Sequence, residues 1–368
     1  MTATTRKDCD AATVRERVSE VVRGNIAGKI SVMAPTLRIG SRPSALALAQ
    51  ANLVKVRLVH AVQDLRIEID LRVEIVPIST SGDKMRSASL ARVGGKGLFI
   101  RELEQALTDR RIDLAVHSMK DLPAILPAQF RIAAVPERED PRDVLITRRD
   151  GGWDALPPGA RLGTSSTRRR LEALRLRPDL DVQPLRGNID TRLNRLANGD
   201  FDAIILAMAG LKRLGRSSDN FFYCLLDAST FIPSGGQGAL AIEALADTTT
   251  GGSPELEHAV AALNDSRAFA EVTAERSFLA TIGASCVSPV GVKATADGSM
   301  LKLCAILFST NGEKSLAGEI EEPYRFADPP ATTANHPATT INHPAAALGA
   351  KLGKRMLERG AGELIGRE

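Results

Sequence analysis

Aromatic residues are scarce in this chain of 368 residues: one Trp, two Tyr and ten Phe, 4% in all. Proteins that hold single-stranded nucleic acid stack bases on exposed rings, so this supply argues against that use. No RNA- or DNA-binding motif makes up for it. The four cysteines, Cys9, Cys224, Cys286 and Cys304, stand far apart without a CxxC pair, which excludes a disulfide framework and a zinc knuckle. The five histidines do not gather near them, and no metal site is expected. No run approaches the roughly 20 apolar residues of a membrane span. The N-terminal residues Arg6, Lys7, Asp8, Asp10, Arg15, Glu16 and Arg17 leave no apolar stretch for an export signal. Charge of one sign is also lacking, since 48 basic and 44 acidic residues leave a formal +4. The expectation is a soluble cytoplasmic protein with no membrane or nucleic-acid partner.

What is abundant is arginine, 36 against 12 lysines. A guanidinium is a planar fork that grips carboxylate or phosphate with two parallel hydrogen bonds, so the skew favours an oxyanion-rich ligand. A GC-rich genome would produce the same skew. Only the positions of the arginines can decide.

Residues 1–35 are polar and aperiodic and read as a poorly folding extension. Ala327–Ala345, rich in Pro, Ala and Thr, repeats Asn-His-Pro-Ala at Asn335 and Asn342 and reads as a mobile insertion. Between them lies an internal duplication. Arg38-Ile39-Gly40-Ser41-Arg42-Pro43-Ser44 is echoed by Arg161-Leu162-Gly163-Thr164-Ser165-Ser166-Thr167, each a strand, a turn and a helix start. Pro43 falls near the first position of the first helix, with Leu46, Leu53 and Val54 as its apolar residues. Asp113–Met119 is echoed by Asp202–Met208, near-continuous apolar runs after the helical segments Leu98–Arg110 and Ile189–Ala197. That is the pattern of a buried parallel strand in a βαβ unit.

Two similar α/β domains are expected, 36–140 with 231–254 and 141–230. A third α+β domain over 255–368 would contain helices at Ser253–Leu263, Ser266–Ala280 and Ala346–Arg359 and strands at Val290–Ala296, Leu301–Phe308 and Glu313–Ile320. Ligands in such twins bind outside the C-terminal strand ends.

The chemistry-bearing residues fall at those ends. Arg42, Lys120, Arg168, Arg169, Arg186 and Arg192 stand in turns or first helical turns, where the helix dipole already favours anions. One acid, Asp121, follows Lys120 directly. A carboxylate there can serve general acid/base work or steady a cation, although by itself it is an ordinary cap. Leu90–Phe99 is glycine-rich but lacks the phosphate-loop spacing and reads as a lid. Cys286 occupies a small-residue turn, whereas Cys304 falls in an apolar strand where a cysteine is an inert core residue.

Together these segments resemble porphobilinogen deaminases from about Leu37 to Pro289. The most specific strings are Val93–Phe99 (VGGKGLF), Ala115–Leu122 (AVHSMKDL), Glu137–Asp143 (EREDPRD), Gly163–Arg169 (GTSSTRR), Leu185–Asn188 (LRGN) and Asp202–Gly215 (DAIILAMAGLKRLG). The resemblance implies a monomer with two periplasmic-binding-protein-like α/β domains and a small α+β C-terminal domain. It implies a transferase that condenses four porphobilinogen molecules head to tail and releases ammonia and 1-hydroxymethylbilane, in tetrapyrrole (heme) biosynthesis. One covalent dipyrromethane per chain would sit on Cys286.

Carried over by position, Asp121 is the catalytic acid, and Lys120, Ser166, Arg168, Arg169 and Arg192 bind the cofactor. Arg42, Ser44, Arg186 and Arg213 lie near substrate, and Arg92, Lys96 and Phe99 belong to the lid. The chain departs from the family pattern at Val287, beside the cysteine, at Arg92, and around Ile232–Gly235 before Gly236-Gln237-Gly238. A solute-binding protein would share the twin domains but would need neither Asp121 among cations nor a third domain with a cysteine.

Overall fold

The computed structural model describes residues 36–67, 69, 71–80, 100–217, 220–247, 249–285, 288–326 and 343–365. The extension 1–35, the lid residues Arg92, Lys96 and Phe99, and Cys286 lie outside the described residues.

The first sheet contains β1 (Thr36–Ser41), β2 (Arg72–Pro77), β3 (Leu114–Ser118), β4 (Phe130–Ala134) and β10 (Leu240–Leu245), in the order β2-β1-β3-β10-β4. The second contains β5 (Asp143–Thr147), β6 (Arg161–Gly163), β7 (Asp181–Gln183), β8 (Ala203–Ala207) and β9 (Phe222–Leu225), in the order β7-β6-β8-β5-β9. The first three strands in each order run parallel, and the fourth runs antiparallel to its neighbours. The two fourth strands are exchanged in sequence: β5 follows β4 of the first sheet, and β10 follows β9 of the second. The chain therefore crosses twice between the twins, at 135–142 and 226–239. The crossings lie side by side, with the Glu139 amide donating to the Gly238 carbonyl at 3.2 Å.

The duplication is physical as well as textual. Arg38 at β1 donates from its backbone and guanidinium to Asp113, which precedes β3, at 2.7–3.0 Å. Arg161 at β6 does the same to Asp202 before β8, at 2.9 and 3.4 Å. The apolar runs expected to be central strands are β3 and β8, where Leu114, Ala115, Ala203 and Ile204 are fully buried.

Helix α1 (Ala45–Asp64) is capped by the Ser44 hydroxyl, which accepts from the Ala47 amide, so Pro43 falls before the cap and not inside the helix. It buries Ala51, Val54 and Leu58 against the first sheet, whereas Leu46 and Leu53 are only half-buried. Helix α2 (Arg101–Thr108) precedes β3 and buries Leu103, Ala106 and Leu107. In the second sheet α3 (Thr167–Leu176), α4 (Ile189–Ala197) and α5 (Met208–Arg213) follow β6, β7 and β8.

The remaining chain begins with α6 (Pro254–Ala261), which covers the first sheet with Leu256, Ala259 and Val260. Helix α7 (Ser266–Ile282) and α8 (Pro344–Glu358) then pack on an antiparallel sheet of β11 (Val290–Asp297), β12 (Met300–Phe308) and β13 (Ser315–Pro323). Glu313 and Lys314, expected in the last strand, instead close the hairpin: the Ser309 and Lys314 backbones bond at 2.9 Å. Residues 343–345, assigned to the insertion by composition, start α8; Ala345 is fully buried and the His343 ring meets Phe269 edge-on at 5.3 Å. Cys304 is half-exposed on the outer face of β12, its Sγ 3.7 Å from Glu319 Oε2. Alternation along β12 buries Leu303 and Ala305 and turns the cysteine outward.

Candidate functional site

The C-terminal ends of β1 and β3 open on one pocket, lined among others by Arg42, Ser44, Gln50, Ile100, His117 and Asp121. Beyond β3 the chain tightens into a 3-10 turn, Met119–Asp121, which buries Met119 and leaves Asp121 exposed. Gln50 on α1 donates to the Ser118 hydroxyl at 2.9 Å and ties the helix to this end of the strand. Beneath the pocket, His117 Nε2 lies 2.9 Å from Glu243 Oε2, both side chains buried.

In the second sheet the turn after β6 brings Ser166 to the cap of α3, accepting from the Arg169 amide at 3.4 Å. Arg168 and Arg169 follow at once, 5% and 7% exposed. Arg168 donates to Asp143 at 2.7 Å, Glu172 at 2.6 Å and the Ile232 carbonyl at 2.9 Å. Arg169 donates to Asp143 at 2.7 and 3.0 Å, to the Ile205 carbonyl at 3.0 Å and to Gln237 at 3.4 Å. Burial would raise the Asp143 carboxyl, but the two guanidiniums outweigh it and hold the group down at about 2. Glu172 shows the opposite balance, its carboxyl pushed up to about 7 by burial in spite of Arg168.

Lys120 bridges the sheets. Its Nζ donates to Gln237 Oε1 at 3.2 Å, and burial, reinforced by Arg169, lowers its ammonium to about 8. Arg192, in the first turn of α4, donates to the Gly187 carbonyl at 2.8 Å and has no ion pair with a carboxylate among the described residues. Burial and the neighbouring Arg169 lower it to about 10. Arg213 donates to the Gly238 carbonyl at 2.6 Å while its buried Nε has no acceptor; burial brings it to about 10. Arg186 is exposed on the loop before α4. That loop is joined to the α3 turn by the Ser165 hydroxyl, which donates to the Leu185 carbonyl at 2.9 Å.

The structure thus gathers Arg42, Ser44 and Asp121 around one pocket, and joins Lys120, Arg168, Arg169 and Arg192 through bonds or mutual charge. Arg213 stands at the crossings. Cations held at depressed pKa, with a buried guanidinium nitrogen lacking an acceptor, fit a ligand with several carboxylates. Such a ligand would supply the missing negative charge. Ser285 and Ser288, on either side of Cys286 and Val287, bond to each other: the Ser285 amide donates to the Ser288 hydroxyl at 3.0 Å, and the Ser288 amide donates to the Ser285 carbonyl at 3.0 Å.

Gln50, His117, Asp143 and Gln237 were not singled out from sequence as site residues. Asp143 and Gln237 stand within or beside the conspicuous strings, but they are 94 positions apart and their contact at 2.9 Å carries no local signal.

A family model described as "porphobilinogen deaminase, dipyromethane cofactor binding domain" matches residues 37–251, and one described as "porphobilinogen deaminase, C-terminal domain" matches 269–358. A protein named porphobilinogen deaminase from Syntrophobacter fumaroxidans is 46% identical over 278 residues, 76% of this chain and 86% of that protein. Another of that name, from Syntrophotalea carbinolica, is 39% identical over 329 residues, 89% of this chain and 95% of its own. Among solved structures, a probable amino-acid ABC transporter extracellular-binding protein from Bacillus subtilis aligns with 61% of this chain and 90% of its own, at 12% identity and a TM-score of 0.36.

Proposed function

This chain belongs to the porphobilinogen deaminase family, and from that membership we propose how its residues divide the work of joining four porphobilinogen molecules into 1-hydroxymethylbilane with loss of ammonia. The dipyrromethane, carried covalently on Cys286, supplies the pyrrole carbon on which the chain is built. Lys120, Ser166, Arg168, Arg169 and Arg192 hold its acetate and propionate groups, and Arg42, Ser44, Arg186 and Arg213 hold those of the incoming pyrrole. Arg92, Lys96 and Phe99 cover the site. Bidentate forks suit these carboxylates, and their number explains why so many cations meet at the strand ends.

Asp121 has a different task. When ammonia leaves porphobilinogen, the methylene-pyrrole left behind is electron-poor and positive. A carboxylate fixed at the pocket stabilises that charge as it develops, which lowers the barrier without tightening ground-state binding. The observation that carries this reading is one exposed carboxylate in a pocket shared with Arg42, directly after Lys120 in the chain and acting on its ammonium.

We also infer a cytoplasmic monomer divided as 36–140 with 231–254, 141–230 and 255–368, acting on small molecules without nucleic-acid or membrane partners. Contrary to the expectation from sequence, helix α1 is long and apolar enough by composition to span a membrane, but its fully buried Ala51, Val54 and Leu58 face the first sheet. The test is stoichiometric. Purified protein given porphobilinogen should release one ammonia per molecule consumed and one linear tetrapyrrole per four. Consumption without ammonia, or no consumption, would refute the assignment.

A further inference from the structure

Gln237 lies in a turn of the second crossing and is 1% exposed. Its backbone is gripped from both sides. The Gln237 amide donates to the Ser234 carbonyl at 3.0 Å, and Arg138 Nε donates to the Gln237 carbonyl at 3.0 Å. Arg138 is in turn paired at 2.8 Å with the buried Glu275 of α7, whose other oxygen accepts from the Gly236 amide at 2.6 Å.

The flanking glycines allow the turn to press on the site. Gly236 has φ 74°, and a Cβ there would stand 2.6 Å from Met119 Cγ and 3.0 Å from the Lys120 backbone nitrogen. Gly238 has φ 89°, and a Cβ would stand 2.2 Å from the Glu139 carbonyl oxygen. Only glycine fits both the angle and the approach.

The orientation of the Gln237 amide is fixed by its neighbours. Its Nε2 faces two acceptors, the Pro141 carbonyl at 2.8 Å and Asp143 Oδ1 at 2.9 Å. Its Oε1 faces two donors, Lys120 Nζ at 3.2 Å and Arg169 Nη2 at 3.4 Å. Turning the amide over would set donor against donor and acceptor against acceptor.

From this geometry we propose that Gln237 is a positioning residue: its neutral carbonyl holds the Lys120 ammonium and the Arg169 guanidinium side by side, aimed together at one carboxylate of the pyrrole ligand. This rests on the reading of Lys120 and Arg169 as cofactor contacts. Two like charges share this one neutral acceptor, with Asp143 pairing Arg169 on its other side and the Lys120 ammonium bonded to the Gln237 carbonyl. A carboxylate in its place would bind the cations and satisfy them from within the protein. An aliphatic side chain would leave them to repel. Gln237 also joins Lys120 on the first sheet to Arg169 and Asp143 on the second.

The test compares Gln237→Glu and Gln237→Met with the unaltered chain. Cofactor-free protein is incubated with porphobilinogen across pH, and cofactor occupancy is read by intact mass beside the melting temperature. The charged groups that act on Lys120 are Arg169, Asp121, Asp143 and Arg168. With its ammonium at about 8, occupancy in the unaltered chain should fall as pH rises past that value, because the neutral amine no longer attracts a carboxylate.

Gln237→Glu places a negative charge beside the ammonium and should move the falling limb to higher pH. Gln237→Met removes the acceptor and should move it to lower pH, with loading about tenfold slower at neutral pH. Opposite movements are the expected result. A purely structural residue would lower the melting temperature and leave the limb in place in any variant that folds. That outcome, or unchanged loading in Gln237→Met, overturns the proposal. If Gln237→Glu does not fold against Asp143, the direction in Gln237→Met alone decides. A failure of the unaltered chain to load would instead refute the family reading of the site.

Discussion

Arg168 and Arg192 are both assigned to the same carboxylate-bearing ligand, yet their surroundings set them apart. Arg168 is engaged by Asp143, Glu172 and the Ile232 carbonyl, so Arg168→Leu leaves the buried Glu172 without its cation and Asp143 with Arg169 alone. Breaking one side of such a network costs about 3–5 kcal/mol, and a marked fall in melting temperature is expected beside loss of cofactor. Arg192→Leu removes a half-buried cation bonded to one carbonyl and should leave the melting temperature nearly unchanged while occupancy by intact mass falls. Equal melting temperatures for the two variants would contradict this distinction. Asp121→Asn should also fold, since the residue is exposed, and should slow single turnover of loaded enzyme on the order of a hundred-fold. At this scale the sequence reveals the arginines after the Gly-Thr-Ser-Ser turn and the acid after Lys120. Glu172, one helical turn after Arg168, is a local partner, but Asp143 and Gln237 acquire meaning only when separate segments meet.

The second crossing depends on backbone conformations at Gly236 and Gly238 that no other residue supplies easily. Gly238→Ala would combine φ 89° with a Cβ at 2.2 Å from the Glu139 carbonyl, whereas Gly298→Ala, at φ 52°, meets nothing within 4 Å. The denaturant midpoint should drop by a few kcal/mol equivalent for the first and about 1 kcal/mol or less for the second. Similar losses would mean that the crossing can shift without cost.

Asp143, at the start of β5, sets an acid limb. Its carboxyl is lower in the folded chain, at about 2, than its ordinary 3.8. The stability it contributes is therefore complete above about 4 and is lost as pH falls toward 2. Unfolding followed from pH 5 to 2.5 should show this loss, and Asp143→Asn should flatten it. Helices and central strands were legible because their periodicity is local: Ile189–Ala197 has the same bounds in sequence and structure. The antiparallel placement of β5 and β10 within their sheets was not, since the division into 36–140 with 231–254 and 141–230 states no strand direction. Likewise the outward turn of Cys304 depends on the register of β12 against its neighbours.

Over the whole molecule, duplication produces twin sheets whose strand ends meet at the crossings, and the third sheet is bound to them through Arg138, Glu271 and Glu275. The twin α/β plan was readable from repeated motifs, as was the cysteine-bearing α+β segment. The meeting of all three parts around Gln237 was not, because it arises from side chains on separate elements. The proposed role of this assembly is to hold a primer covalently on Cys286 while pyrroles are added. Intact mass of the denatured, active protein tests it most directly. That mass should exceed the sequence mass by one dipyrromethane, two pyrrole units, with no such excess in Cys286→Ser. Active protein with the bare sequence mass would contradict it.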